Sequence, residues 1–289
     1  MRYTNKHNLP EALVKAVQGH DHRHGTFSVT QLQKGATEIA LGMVYGDKLE
    51  MDIADAVNMM LGTAVHKLFE EQETENVLNE HYMEATVFAG FTVSGTADSI
   101  DLATEQITDY KTCSTWKVLF KDFDDWRGQI KGYLWLWYNE TGKLWHKGRI
   151  IAILKDWSAT EAERDRNYPQ SPVFPISFEY TDEEIFGVPE VWTEKIIEVC
   201  KKVASQDFGC CSEKERWAKP TKYALMRQGR KTALKLYDEE ADCLEAVDSD
   251  RDNLYMEIRE GEDTKCVKYC VAGKCGLCEY RNSKESGNG

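Results

Sequence analysis

The chain has 289 residues, enough to bury one large core or a catalytic domain with an appendage. Its net charge of −13 argues against a protein that reads only the duplex backbone, which needs a broadly basic surface; local basic patches and acidic metal sites stay open. No apolar run is long enough to cross a bilayer and the first residues are too polar for a secretory leader, so nine cysteines point to a reducing, cytoplasmic interior where thiols stay free or hold a metal.

In chain order, residues 1–48 form a helical N-terminal segment. It contains an amphipathic stretch, a histidine-rich HDHRHG that reads as a polar loop, and a helix start at Ser28. Leu49–Leu78 carries the longest helical pattern, with Leu49, Ile53, Val57, Met60, Ala64 and Leu68 on one stripe and His66 off it. Strands are expected at Tyr82–Ala89 and Phe91–Ser94, with Glu84 on the surface. Cys113 reads as an inert small apolar residue.

Asp124–Asn139 is a second helix closed by Gly142. It places Gln129 and Tyr133 one turn apart on one face. Lys147–Leu154 reads as an inner strand, and the proline-bearing stretch after it as an excursion ending in an edge strand. Thr181–Ser205 is helical again. Arg216–Lys235 holds seven Lys or Arg and no acid, a candidate phosphate-contact segment or a solvated basic helix.

The stretch Val93–Thr112 reads as a hairpin. With Ala103–Gln106 as its loop, pairing sets Leu102 against Ile107, Ile100 against Asp109 and Asp98 against Lys111. Period-two alternation then projects Asp98, Ile100, Asp109 and Lys111 from one face. The two carboxylates so placed can share a divalent cation while the Lys111 ammonium points at the same spot. A cross-strand ion pair between Asp98 and Lys111 is the plainer alternative.

Four motifs follow one another: Gly62-x-x-x-His66, Gly95-x-x-Asp98, Asp109-Tyr-Lys111-Thr112 and Gln129-x-x-x-Tyr133. In this order they resemble the RecB-like branch of the PD-(D/E)xK nucleases, especially phage-encoded exonucleases with a C-terminal cysteine cluster. The resemblance implies an α/β fold with a restriction-endonuclease-like mixed sheet flanked by helices, in which residues 49–208 are the nuclease core. It implies Asp98, Asp109 and Lys111 as catalytic residues, with His66, Asp98 and Asp109 holding Mg²⁺ or Mn²⁺ and Gln129 and Tyr133 contacting substrate. DNA is the implied partner, alongside a single-strand annealing or recombination protein, in the cytoplasm of a bacterial host. A structure- or sequence-specific endonuclease and a non-catalytic DNA-binding protein stay open as alternatives.

Residues 209–289 are basic and cysteine-rich, ending in Cys266-x3-Cys270-x4-Cys275-x2-Cys278. So dense a set of thiols suits tetrahedral thiolate coordination of zinc or a [4Fe–4S] cluster. Similarity to phage nucleases implies Cys211, Cys266, Cys270 and Cys275 as the ligands, with Cys278 as the alternative. No cysteine precedes Cys113, so the N-terminal cluster ligand usual in the family is absent.

Overall fold

A computed structural model describes residues 1–18, 25–72, 74–249 and 253–286. His20, His22 and His24 of the expected polar loop lie outside the described residues. Contacts divide the chain into two units, 1–40 with 50–206 and 41–49 with 207–289.

The first unit begins with β1 (Arg2–Thr4), α1 (Glu11–Gln18), β2 (Phe27–Ser28) and α2 (Val29–Leu32). Then come α3 (Ala36–Tyr45), which passes into the second unit, β3 (Glu50–Asp52) and α4 (Val57–Glu70). Ser28 caps α2 through a bond from Gln31 N, as the sequence suggests. The long helix expected over Leu49–Leu78 is shorter at both ends. Asp52 is the reason at the first end: its carboxylate accepts from Thr4 Oγ1, Lys6 N and Ala54 N. That ties β3 to β1 in a parallel pair instead of continuing a helix. Ile53 accordingly packs with Val17 and Ala56 in a small cluster, while Leu68 at the far end is 63% exposed.

The unit continues with β4 (Val77–Phe88), β5 (Phe91–Asp101), β6 (Gln106–Cys113), α5 (Thr115–Leu119), α6 (Asp124–Thr141), β7 (Lys147–Leu154), α7 (Ala159–Arg164), β8 (Val173–Glu179), α8 (Asp182–Phe186) and α9 (Val188–Ser205). These strands make a mixed sheet in the order β2-β5-β6-β7-β8, with β4 also paired to β5. The expected α/β class, a mixed sheet with helices against it, is what the chain adopts. Pro175 lies in the edge strand β8, where a missing N–H is tolerated.

The hairpin register differs from the expected one. Ile100 pairs with Ile107 and Asp101 with Gln106, so the loop is 102–105. The turn chemistry selects this: Asp101 Oδ1 accepts from Ala103 N and Thr104 N, and Glu105 takes a left-handed φ of 52°. A slip of two residues leaves every side chain on its original face, so the expected grouping of Asp98, Asp109 and Lys111 survives the wrong pairing.

One sheet edge is split. Strand β4 covers one side of β5 along its length, which leaves both β2 and β6 on the other. There β2 takes Val93 and Ser94, while β6 takes Ser99 to Asp101. Gly95 to Asp98 lie in the opening between. Helix α6 packs on the face of Ile107 and Gly148, where a side-chain carbon at Gly148 would strike Ile130 Cγ2 at 2.2 Å. Helix α4 lies on the opposite face, with Phe69 stacked on Tyr110 at 4.0 Å.

The second unit contains α10 (Glu213–Arg216), β9 (Ala218–Lys219), β10 (Lys222–Arg227), β11 (Lys235–Tyr237), α11 (Glu240–Ser249), β12 (Leu254–Arg259), β13 (Glu262–Asp263), α12 (Thr264–Lys268), α13 (Val271–Lys274) and α14 (Glu279–Ser286). A three-stranded sheet, β11-β10-β12, packs against α11. Most of the basic segment is thus strand and hairpin, not helix, because Ala224, Leu225 and Met226 bury as a run in β10. Among the described residues no helix is long and apolar enough to cross a membrane.

Candidate active site

The opening in the sheet is a cleft of about 290 Å³. Gly25, Ser28, Thr30, Gly95, Asp98, Asp109, Lys111, His66, Gln129 and Tyr133 are among its walls. The strands part just beyond the Ser99–Thr108 pair. There Asp98 Oδ2 accepts the Tyr110 N–H at 2.6 Å, a carboxylate standing in for a strand carbonyl. Its other oxygen, Oδ1, lies 3.1 Å from His66 Nδ1 of α4.

Glu80 joins them from β4. It stands opposite Asp98, between the Asn79–Ser99 and His81–Ala97 pairs, with a left-handed φ of 47° that interrupts the ladder. Its Oε1 is 3.7 Å from His66 Nδ1. The ligand atoms of His66, Glu80 and Asp98 all lie within 4.8 Å of one another. Sequence reasoning missed Glu80 because it began the strand at Tyr82. Started at Val77, the same period-two pairing would have set Glu80 across from Asp98. Glu84, four residues on, accepts from the Tyr82 hydroxyl instead.

Asp109 is 1% exposed. Gln129 Nε2 donates to its Oδ1 at 3.2 Å and also lies 2.7 Å from Tyr133 Oη and 3.2 Å from Thr30 Oγ1. Lys111 Nζ lies 2.6 Å from the buried Oδ2, so the ammonium is the charged partner of that oxygen. Gln129 and Tyr133, expected to reach substrate, are buried at 4% and 3% exposure and turned toward Asp109, though both still border the cleft.

The electrostatics follow from this packing. Burial, opposed by the Lys111 charge, pushes the Asp109 carboxyl up to about 6. Hydrogen bonding of its ring N–H to the Asp98 and Glu80 carboxylates lifts His66 to about 10. Burial holds Tyr133 well above the phenol range, so it stays a neutral hydroxyl. The acids gathered around one imidazole, His66 with Glu80 and Asp98, are a donor set that suits a hard divalent cation. Cys113 fits its expected inertness: burial raises its thiol to about 11.

In the second unit, burial raises Cys211 to about 12, and the nearby charges of Glu215, Cys266, Cys270 and Cys278 act in the same direction. Burial likewise lifts Cys266 to about 11, with Cys270 next and Cys278 contributing. Cys278, expected as the alternative ligand, therefore shares the neighbourhood of the other three. Cys275 sits at the C-terminal cap of α13.

No family profile and no curated protein matches the chain. Among solved structures, SSO0001 is similar at 18% identity with a TM-score of 0.46, over 64% of this chain and 83% of that one. An alkaline exonuclease from Laribacter hongkongensis is similar at 10% identity and a TM-score of 0.35, over 62% and 90%. A phage related exonuclease from Haemophilus somnus 129PT is similar at 12% identity and a TM-score of 0.32, over 68% and 82%.

Proposed function

We propose that this chain is a metal-dependent deoxyribonuclease that hydrolyses phosphodiester bonds in the split of its sheet. One observation carries the reading: His66, Asp98, Asp109 and Lys111 line a single cleft, and the ligand atoms of Glu80, His66 and Asp98 lie within 4.8 Å of one another, so four separate elements bring their ionisable groups together. Such a concentration of ionisable groups destabilises a fold that gives it no ligand.

His66, Glu80, Asp98 and Asp109 would hold Mg²⁺ or Mn²⁺, which supplies an acidified water and neutralises charge on the phosphate. Lys111 carries a compact positive charge beside Asp109, suited to stabilising the developing phosphorane or orienting the attacking water. Gln129 and Tyr133 fix Asp109 from behind. Gly95 makes that possible, since any side-chain carbon there would displace the Tyr133 ring. The second unit would carry a thiolate-bound zinc or [4Fe–4S] group on Cys211, Cys266, Cys270 and Cys278. Neighbouring thiols that burial and one another keep protonated fit a site in which a cation takes the place of their protons.

Within this reading, action from DNA ends is favoured by the ordered RecB-like motifs. The test is digestion of linear against closed-circular DNA with Mn²⁺ or Mg²⁺. Loss of linear DNA alone is expected, and cutting of both forms equally makes the enzyme an endonuclease. Lys111→Ala should abolish cleavage while retaining DNA binding; undiminished cleavage by this variant removes the nuclease assignment from this site.

A further inference from the structure

From five residues beyond Lys111, helix α5 and its C-cap residue show solvent two large aromatic rings. Trp116 is 61% and Phe120 73% exposed, and their rings stack with centroids 5.6 Å apart at 24°. The packing of α5 does not require them. Thr115 and Val118 supply its buried face. Its first turn is fixed by Asp156, which accepts from Ser114 Oγ at 2.5 Å, Thr115 N at 2.6 Å and Thr115 Oγ1 at 2.8 Å. The neighbouring Lys117 turns inward to Asp125 and the Trp126 ring. What remains is a rigidly mounted aromatic surface whose exposure nothing in the fold repays.

We propose that the Trp116–Phe120 stack is a base-stacking platform for the single-stranded portion of a DNA substrate whose scissile phosphate lies in the cleft. This rests on the nuclease reading for the identity of the strand. Three features favour a nucleic-acid strand as occupant. Strand β6 runs from Asp109 and Lys111 to the N-cap of α5, so the platform lies at most roughly 17 Å along the chain from Lys111, within reach of a few extended nucleotides. A nucleobase can extend an aromatic stack irrespective of its sequence, as a degrading enzyme requires. Interior base pairs keep both faces within the duplex, so a ring held out in solvent stacks on unpaired bases, or at most on the one open face of a terminal pair. The platform therefore selects frayed ends, overhangs or single strands over intact duplex.

The experiment compares a fluorescein-labelled oligothymidylate with a blunt duplex, by anisotropy, in a Lys111→Ala background that leaves the strand intact. Trp116→Ala with Phe120→Ala should weaken the single strand roughly ten- to a hundredfold, from the usual value of one base–aromatic stack, and the duplex far less. Trp116→Tyr with Phe120→Tyr should restore single-strand affinity, a rescue that a general folding defect would not give. Unchanged single-strand affinity, or equal weakening of both ligands, overturns the proposal. So does self-association in sedimentation that Trp116→Ala abolishes, because the rings then belong to a second copy. Cleavage by the unmodified protein is scored separately. A protein that binds strands through Trp116 yet never cuts them would fail the nuclease reading and keep the platform, while one that cuts but ignores both substitutions would do the reverse.

Discussion

A side-chain carbon added to Gly95 would lie 2.6 Å from Tyr133 Cε1 and 3.0 Å from Val29 Cγ2. The Tyr133 ring is 3% exposed and holds Gln129, which in turn holds Asp109, so it has nowhere to retreat without moving a carboxylate of the cleft. Gly95→Ala is therefore expected to lower stability by about 1–3 kcal/mol, the usual penalty of overpacking, and to weaken Mn²⁺ binding. The other motif glycine differs. At Gly62 the nearest atom, Thr112 Oγ1, is 3.6 Å from an added carbon, and the position is inside α4. Gly62→Ala should fold at least as well as the parent, with up to about 1 kcal/mol of helix propensity gained. Urea denaturation of both variants checks the contrast; a Gly95→Ala protein as stable as Gly62→Ala would refute the packing account.

Asp109 gives a pH dependence with a definite sign. Its carboxyl titrates at about 6 in the fold against 3.8 ordinarily, because burial outweighs Lys111. A raised carboxyl stabilises the fold below its unfolded pKa, and that contribution is lost as pH rises through the folded one. In chelator, wild type should thus lose stability relative to Asp109→Asn between about pH 4 and about pH 7, by on the order of 2–3 kcal/mol. Mn²⁺ should stabilise wild type near neutrality and stabilise Asp109→Asn less, since that variant keeps only His66, Glu80 and Asp98. Since protons and metal compete for the carboxylate, Mn²⁺ affinity should fall as pH drops below about 6. Paired melting curves across pH would expose the error if the two proteins stay parallel.

The site was legible to the extent that local periodicity governs it. Asp98, Asp109 and Lys111 are grouped by strand alternation, which survives a two-residue register error. The Asp124 helix and the Lys147–Leu154 strand were readable because each combines one unbroken pattern with clear ends. Glu80 was hidden because its placement depends on a long-range pair with Asp98 and on a left-handed backbone that no local preference announces. Asp52 illustrates the same limit. Its helical-looking surroundings yield to bonds with Thr4 and Lys6, more than forty residues away. The turn register was also set by a side chain, Asp101, whose Asx bonds outweigh the turn-tolerant residues Ala103–Gln106.

The thiol neighbourhood predicts a metal requirement for the second unit. Cys211→Ser and Cys278→Ser should each reduce bound metal and lower the melting temperature, because an ion held by these thiols would close the long loop between Cys211 and Cys266. Freshly purified protein should carry zinc when colourless, or iron and sulfide when brown. Full metal content in Cys278→Ser would return the fourth position to Cys275.

The basic hairpin supplies the remaining test. Between β10 and β11, Arg227, Arg230, Lys231 and Lys235 are all exposed with no acid among residues 227–235, in a chain whose net charge is −13. Lys222, at the start of β10, is paired with Asp238. Charges at a hairpin tip touch phosphates without reading bases, so Arg230→Glu with Lys231→Glu should weaken duplex binding uniformly across sequences. It should also flatten the dependence of log affinity on log salt by about one unit for each phosphate no longer neutralised. Titrations at several salt concentrations separate this from misfolding, which removes binding without altering the slope of the fraction that remains. An unchanged slope in a folded variant would place the phosphate-binding cations elsewhere.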